Sequence, residues 1–319
     1  MRVLFITANR IGDAILSTGL LRHVVEAHPD AEITVVCGPL CVDLFRAVPG
    51  LDKIIPLQKA SWNRHWLGLW WRCLPAYWDI IIDLRNTAIS RLLLHGQRYG
   101  YSHSDDTQHK VVQNATIMRL AVPPDPKIWV SEADQVEAQT LLGDAPVIAL
   151  GPSANWYPKQ WPSEHFAALL RDFCADAELA AHRFLLLAAE HERAQLTSVL
   201  EALPQERRIT LIGSSLALGA ACLERAELFI GNDSGLMHLA AAVGTPTLGL
   251  FGPGYEKVYG PWGAHTAYLR TPESTAELLA LLPHPGAHET NLMKTLTVDR
   301  VAAEARRLLK NHQHSSPKT

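Results

Sequence analysis

The chain has 319 residues, 48% hydrophobic and 19% charged, a composition that builds a buried core and excludes a disordered chain. That length suits two domains better than one. A formal net charge of −3 and a pI near 6.6 exclude bulk electrostatic binding of nucleic acid. Five scattered cysteines (Cys37, Cys41, Cys73, Cys174 and Cys222) form no C-x-x-C pair and read as buried thiols in a reducing compartment. The opening MRVLFITANRIGD meets Arg10 and Asp13 too early for a signal peptide, and no apolar stretch is long enough to span a bilayer. The expectation is a cytoplasmic protein.

Short apolar runs alternate with amphipathic segments. Strands are expected at VLFITA (3–8), EITVVC (32–37), KIIPL (53–57) and DIIIDL (79–84), with helices near 13–28, 40–47 and 62–74. This alternation implies a parallel sheet covered on both faces. AVPPDPKIWV (121–130) breaks the rhythm as a proline-rich linker. Strands then follow at 146–151, 184–190, 208–213, 227–232 and 246–252, separated by helices at 163–175, 191–203, 216–225 and 235–243. An amphipathic helix over 298–312 precedes a polar tail. The domains expected are 1–130 and 131–296, followed by the helix at 297–312 and a tail at 313–319. The fold class is α/β with two Rossmann-like halves. Their strand C-termini would face one cleft, where ligands of such sheets bind.

Strand ends therefore carry the candidates. In TANRIGDAILSTGLL, Asp13 falls at or near a helix start, where an aspartate is either an N-cap or part of a site. No G-x-G-x-x-G fingerprint accompanies it. In GPSANWYPKQWPSEHF, Lys159 stands in the loop after the first strand of the second half, either solvated or placed to meet a phosphate as a point charge. Glu190 ends a buried strand, where a carboxylate could accept from two ribose hydroxyls or merely favour a helix start. In FIGNDSGLMHLAAAVGTP, Ser234 and Gly235 offer backbone N–H groups at a helix N-terminus, an anion site, and His238 lies one turn in on the same face. Asp233 sits badly with an anion unless it binds hydroxyls or structural donors.

One further stretch, SWNRHWLGLWWRCLP (61–75), places Trp62, Trp66 and Leu69 on one helix face, with Trp70 and Cys73 near it and Arg64 and Arg72 beside it. It reads as an aromatic core face or as an interfacial patch.

RIGDAILSTGLL, a K-x-W-P loop, AEHE after a buried strand, NDSGLMHLAAAVGTPTLGLFGP and GPWG (260–263) occur in that order. In this the chain resembles the bacterial ADP-heptose:lipopolysaccharide heptosyltransferases of glycosyltransferase family nine, over essentially its whole length. The resemblance implies a GT-B fold, the C-terminal helix packing back on the first domain. It also implies an inverting transfer of heptose from ADP-heptose to a lipid-linked lipopolysaccharide core acceptor at the inner membrane face. Asp13 would be the general base, with Arg10 and Gly12 beside it on the acceptor side. Lys159 and Ser153 would meet the donor diphosphate, Glu190 the ribose, and Asp233, Ser234, Gly235 and His238 the diphosphate and donor sugar. No metal or other cofactor and no nucleic acid is implied. A GT-B nucleotide-sugar epimerase or phosphorylase, or a non-catalytic relative that binds nucleotide sugars, is the alternative. Three departures stand out: Gly19 where the family commonly has proline, expected to touch helix geometry alone; PSANWYPK, without the hydroxyl pattern some members place before the lysine; and 86–106, only loosely family-like.

Overall fold

The computed structural model describes residues 1–58, 61–101, 105, 107–284 and 286–315, so most of the expected polar tail and part of 86–106 lie outside the described residues. The chain divides into two compact units, Met1–Ser131 and Glu132–Thr319. Among the described residues no helix is long and apolar enough to cross a membrane.

The first unit runs β1 (Arg2–Ile6), α1 (Ile11–Ala27), β2 (Glu32–Cys37), β3 (Leu51–Pro56), α2 (Arg64–Cys73), β4 (Trp78–Asp83), α3 (Ile89–Leu92), β5 (His95–Gly100), α4 (Lys110–Ile117). Its five strands pair in parallel in the order β3-β2-β1-β4-β5. β1 is buried beyond its first residue and β4 almost throughout, as a sheet covered on both faces requires. The edge strand β5, HGQRYG, is polar and part-exposed, so its hydropathy gave no sign of it. Where a helix was expected over 40–47, the chain makes a 3-10 turn at Pro39–Phe45, confined between Pro39 and the Pro49-Gly50 corner. Leu4, Ile6, Val36, Ile55 and Ile81 of the sheet meet Leu69, Cys73 and Trp78, with Trp66 and Trp70 packed alongside. The aromatic stripe is therefore corrected: the helix starts after Trp62, which has left-handed backbone (φ 56°) and is exposed.

Gly19 has a further role than helix geometry. A Cβ there would lie 2.2 Å from the carbonyl oxygen of Pro124, because the proline-rich linker crosses α1 at this point. Thr18 Oγ1 accepts the Lys127 N–H at 2.9 Å and holds the linker in place.

The second unit runs α5 (Glu132–Leu142), β6 (Val147–Gly151), α6 (Ser163–Ala175), β7 (Arg183–Ala188), α7 (Thr197–Glu201), β8 (Arg208–Ile212), α8 (Leu216–Glu224), β9 (Leu228–Asn232), α9 (Gly235–Ala242), β10 (Thr247–Phe251), α10 (Glu256–Tyr259), β11 (Thr266–Arg270), α11 (Thr275–Ala280), α12 (Val298–Ser315). Six parallel strands lie in the order β11-β10-β9-β6-β7-β8. The helix expected over 191–203 is a 3-10 turn at Glu190–Leu196 followed by the short α7. Trp161, Phe166, Phe173 and Phe184 fill the core beside Ile148, Leu150, Leu228 and Ile230. Each such side chain contributes roughly 1.5–3 kcal/mol by leaving water.

The C-terminal helix corrects its expected placement. Val301, Ala302, Ala305, Leu308 and Leu309, spaced at helical period, belong to this second core. Arg306 stacks over Phe173 at 5.3 Å and pairs with Asp172 and Asp176 at 2.8 and 2.9 Å. The five cysteines are free thiols, and burial pushes Cys37 and Cys41 up to about 12, which leaves them unreactive.

Candidate active site

Each sheet reverses its strand order once beside its central strand, between β1 and β4 in the first unit and between β6 and β9 in the second. In open α/β sheets the loops leaving the strands on either side of such a reversal diverge, and ligands bind outside the strand C-termini there. The sequence candidates fall on these loops or on the turn after β7.

In the first unit the loop after β1 leads into α1, whose N-cap is Arg10, with Gly12 second and Asp13 third in the helix. Asp13 is thus not the N-cap. Among the described residues its carboxylate makes no hydrogen bond, and it is half-buried. Burial raises its pKa above the ordinary aspartate value; Lys110 and then Arg10, both positive, pull it part of the way back. A carboxylate with no structural duty and a raised proton affinity is suited to act as a base. Arg10 is exposed beside it.

The loop after β4 holds a network that sequence reasoning missed. Asp83 is fully buried and accepts from the Arg85 and Thr87 N–H groups at 2.9 and 2.6 Å, and from the Thr87 and Ser90 hydroxyls at 2.8 and 2.6 Å. Arg98 donates from Nε to Ser90 Oγ at 2.8 Å and from Nη2 to Asn86 Oδ1 at 3.2 Å. Arg85 donates to Asn9 Oδ1 at 2.9 Å and so ties this loop to the one before Asp13. The signal available in sequence was an aspartate ending the Ile80–Ile82 run, followed by Thr87 and Ser90 as hydroxyl donors to it.

In the second unit Lys159 ends a short 3-10 turn in the loop after β6, and Asp233 follows β9. The two meet across the switch: Lys159 Nζ lies 2.5 Å from Asp233 Oδ2, with side-chain exposures of 26% and 9%. Asp233 is thereby a structural partner for the lysine. A Cβ on Gly254 would lie 2.5 Å from Asp233 Oδ2, so the Gly-Pro-Gly turn closes against this pair only because residue 254 has no side chain. Asn232, fully buried, clasps both ends of the Lys159 loop: Oδ1 accepts the Trp161 N–H at 2.9 Å, and Nδ2 donates to Pro152 O at 2.8 Å. Ser234 is the N-cap of α9 but makes no cap hydrogen bond, and its buried Oγ is unpartnered among the described residues. Gly235 opens the helix, and His238 is buried one turn in.

Two candidates stand differently from expectation. Ser153 donates to Glu192 Oε2 at 2.7 Å, and the same oxygen accepts the Ala189 N–H at 2.9 Å. Its proton is committed to joining two loops, not to an anion. Glu190 is exposed and forms a two-bond pair with Arg193 at 2.7 and 2.8 Å, which holds its carboxyl below the ordinary glutamate value. It follows β7, one strand out from the Lys159–Asp233 pair, and lies against Gly213 just past the end of β8. Among the described residues no three histidine, cysteine, aspartate or glutamate side chains come together to hold a metal.

The model of the family described as glycosyltransferase family 9 (heptosyltransferase) matches residues 70–279. The chain is similar to lipooligosaccharide heptosyltransferase 2 of Haemophilus influenzae, 27% identical over 296 residues that span 79% of this chain and 84% of that protein. In structure it is similar to the Escherichia coli ADP-heptose lps heptosyltransferase II (TM-score 0.75, 22% identity, 98% of this chain and 100% of that one). It is likewise similar to a family 9 glycosyl transferase from Veillonella parvula (TM-score 0.79, 21% identity, 97% of each chain). The fold class is that of these structures, α/β of GT-B type with two parallel sheets.

Proposed function

From the premise that this chain belongs to glycosyltransferase family 9, we propose that it transfers a heptose from ADP-heptose, with inversion, to a lipopolysaccharide core or related lipid-linked glycan acceptor. The names of its relatives carry that donor and acceptor class. The observation that carries the mechanism is Lys159, held by Asp233 beside the uncapped start of α9 at the switch of the second sheet.

In this reading Asp13 takes the proton of an acceptor hydroxyl as that oxygen attacks the anomeric carbon of the donor. The new C–O bond forms on the face opposite the leaving group. The old C–O bond breaks, and its electron pair leaves with ADP. Arg10 and Gly12 flank Asp13 on the acceptor side. Lys159 and the first N–H groups of α9, at Gly235, relieve the charge on the departing diphosphate; such fixed donors are worth several kcal/mol at a developing charge. Asp233 keeps the ammonium aimed, and Ser234 Oγ and His238 line the same turn. Ser153 positions the loop through Glu192. Glu190 holds the ribose once its carboxylate is shared with Arg193. No metal or cofactor is required in this scheme. The protein acts in the cytoplasm.

The test is an incubation with ADP-heptose and core acceptor, following ADP release and the anomeric configuration of the product by NMR. An inverted product with ADP release is expected. Thermal stabilisation by UDP or GDP sugars, with none by ADP species, would contradict the donor.

A further inference from the structure

We infer that the outward face of α2 is the surface by which this protein docks on an anionic lipid bilayer; the inference rests on the proposed lipid-linked acceptor. The inner face of α2, with Trp66, Leu69, Trp70 and Cys73, accounts for its packing on the first sheet. Trp62, Leu67 and Trp71 take no part in that core and are 93%, 57% and 61% exposed. Leu67 and Trp71 are four residues apart and share one face of the helix. Leu92 and Leu94, in the α3 segment against which α2 packs, are exposed as well.

Charge complementarity selects the occupant. From Ile54 to Trp78 the sequence holds no acidic residue but carries Lys59, Arg64 and Arg72, within a chain of net charge −3. Tryptophan, leucine and arginine on a convex helix suit the headgroup boundary, where rings and stems bury and guanidinium groups meet phosphate. The face is also tied to the candidate acceptor edge. Arg85 stacks over Trp66 at 4.6 Å and donates to Asn9 Oδ1, so the helix joins the loop that leads to Asp13. Trp62 has left-handed backbone, a conformation strained for a bulky side chain, and strain of this kind gathers at functional surfaces.

The test is co-sedimentation of the full-length protein with vesicles of phosphatidylcholine, with and without phosphatidylglycerol. Binding to the anionic vesicles is expected. Leu67→Ser with Trp71→Ser is expected to weaken it roughly tenfold. Arg64→Ser with Arg72→Ser is expected to weaken it by a similar factor, about tenfold, on anionic vesicles alone. The Leu67/Trp71 variant should keep wild-type turnover on a deacylated soluble acceptor and lose it on acceptor embedded in vesicles. Wild-type protein that stays in the supernatant would overturn the inference, as would a Leu67/Trp71 variant that binds as well as wild type. A wild-type oligomer dissociated by that variant would assign the face to a second copy of the chain instead. Vesicle binding lost on substitution, with no sugar transfer to either acceptor by wild type, would sink the proposed reaction and leave the docking surface standing.

Discussion

Asp13 owes its chemistry to having nothing structural to do. At the third position of α1 it caps nothing, and burial outweighs Lys110 and Arg10 in raising its pKa. A base must be ionised, so the acid limb of kcat/KM should fall at a pH above the ordinary aspartate value of 3.8. Lys110→Met removes the larger of the two opposing charges and should move that limb to higher pH; a limb that stays put would separate Lys110 from the base. The sign for stability follows from the same shift. The native state holds the Asp13 proton more tightly than the unfolded chain, so stability drops as pH rises through the raised value, and the ionised group costs stability at neutral pH. Asp13→Asn should therefore melt at or above the wild-type temperature at pH 7, and a clear loss would contradict this account of the site.

Lys159 and Asp233 offer a complementary case. Lys159→Met leaves Asp233 buried without its partner and should cost about 1–3 kcal/mol of stability together with roughly 100-fold or more in kcat/KM. Lys159→Met with Asp233→Asn should recover the stability and none of the turnover, read by thermal unfolding beside ADP release. Recovery of activity in that double variant would move charge relief away from Lys159.

Among the elements, the loops matter as much as the strands they follow. Asn232 was legible as part of a strand-end motif, yet its clasp on Pro152 and Trp161 was not, because those partners lie some 70–80 positions away in sequence. The same holds for Ser153. A hydroxyl before a lysine suggests a phosphate ligand, but Glu192, 39 residues on, claims its proton. Gly19 shows a third version of the limit. The glycine was visible as a departure from its family, but its reason is the carbonyl of Pro124 crossing the helix. Gly19→Ala should cost about 1–3 kcal/mol, since the obstacle is backbone and cannot swing aside. Unchanged thermal stability would show that the linker yields. By contrast, buried strands such as EITVVC and the helix over 163–175 were read with their observed bounds, because continuous apolar runs and a Pro-Ser start are local signals. The polar edge strand β5 carries no such signal.

For the molecule as a whole, composition and rhythm pointed to two α/β halves, and two parallel sheets are present, each with one switch beside its central strand. The period of α12 showed that it has an apolar face; which sheet that face completes is decided by long-range packing, and it is the second. The proposed chemistry divides along the same line, with the base in the first unit and charge relief in the second. Removing the base should then leave the donor half intact. The direct measurement is Asp13→Asn assayed for heptose transfer and, on the same preparation, for ADP affinity by calorimetry. Asp13 as the base requires transfer abolished with ADP affinity unchanged. Turnover at the wild-type rate would contradict it.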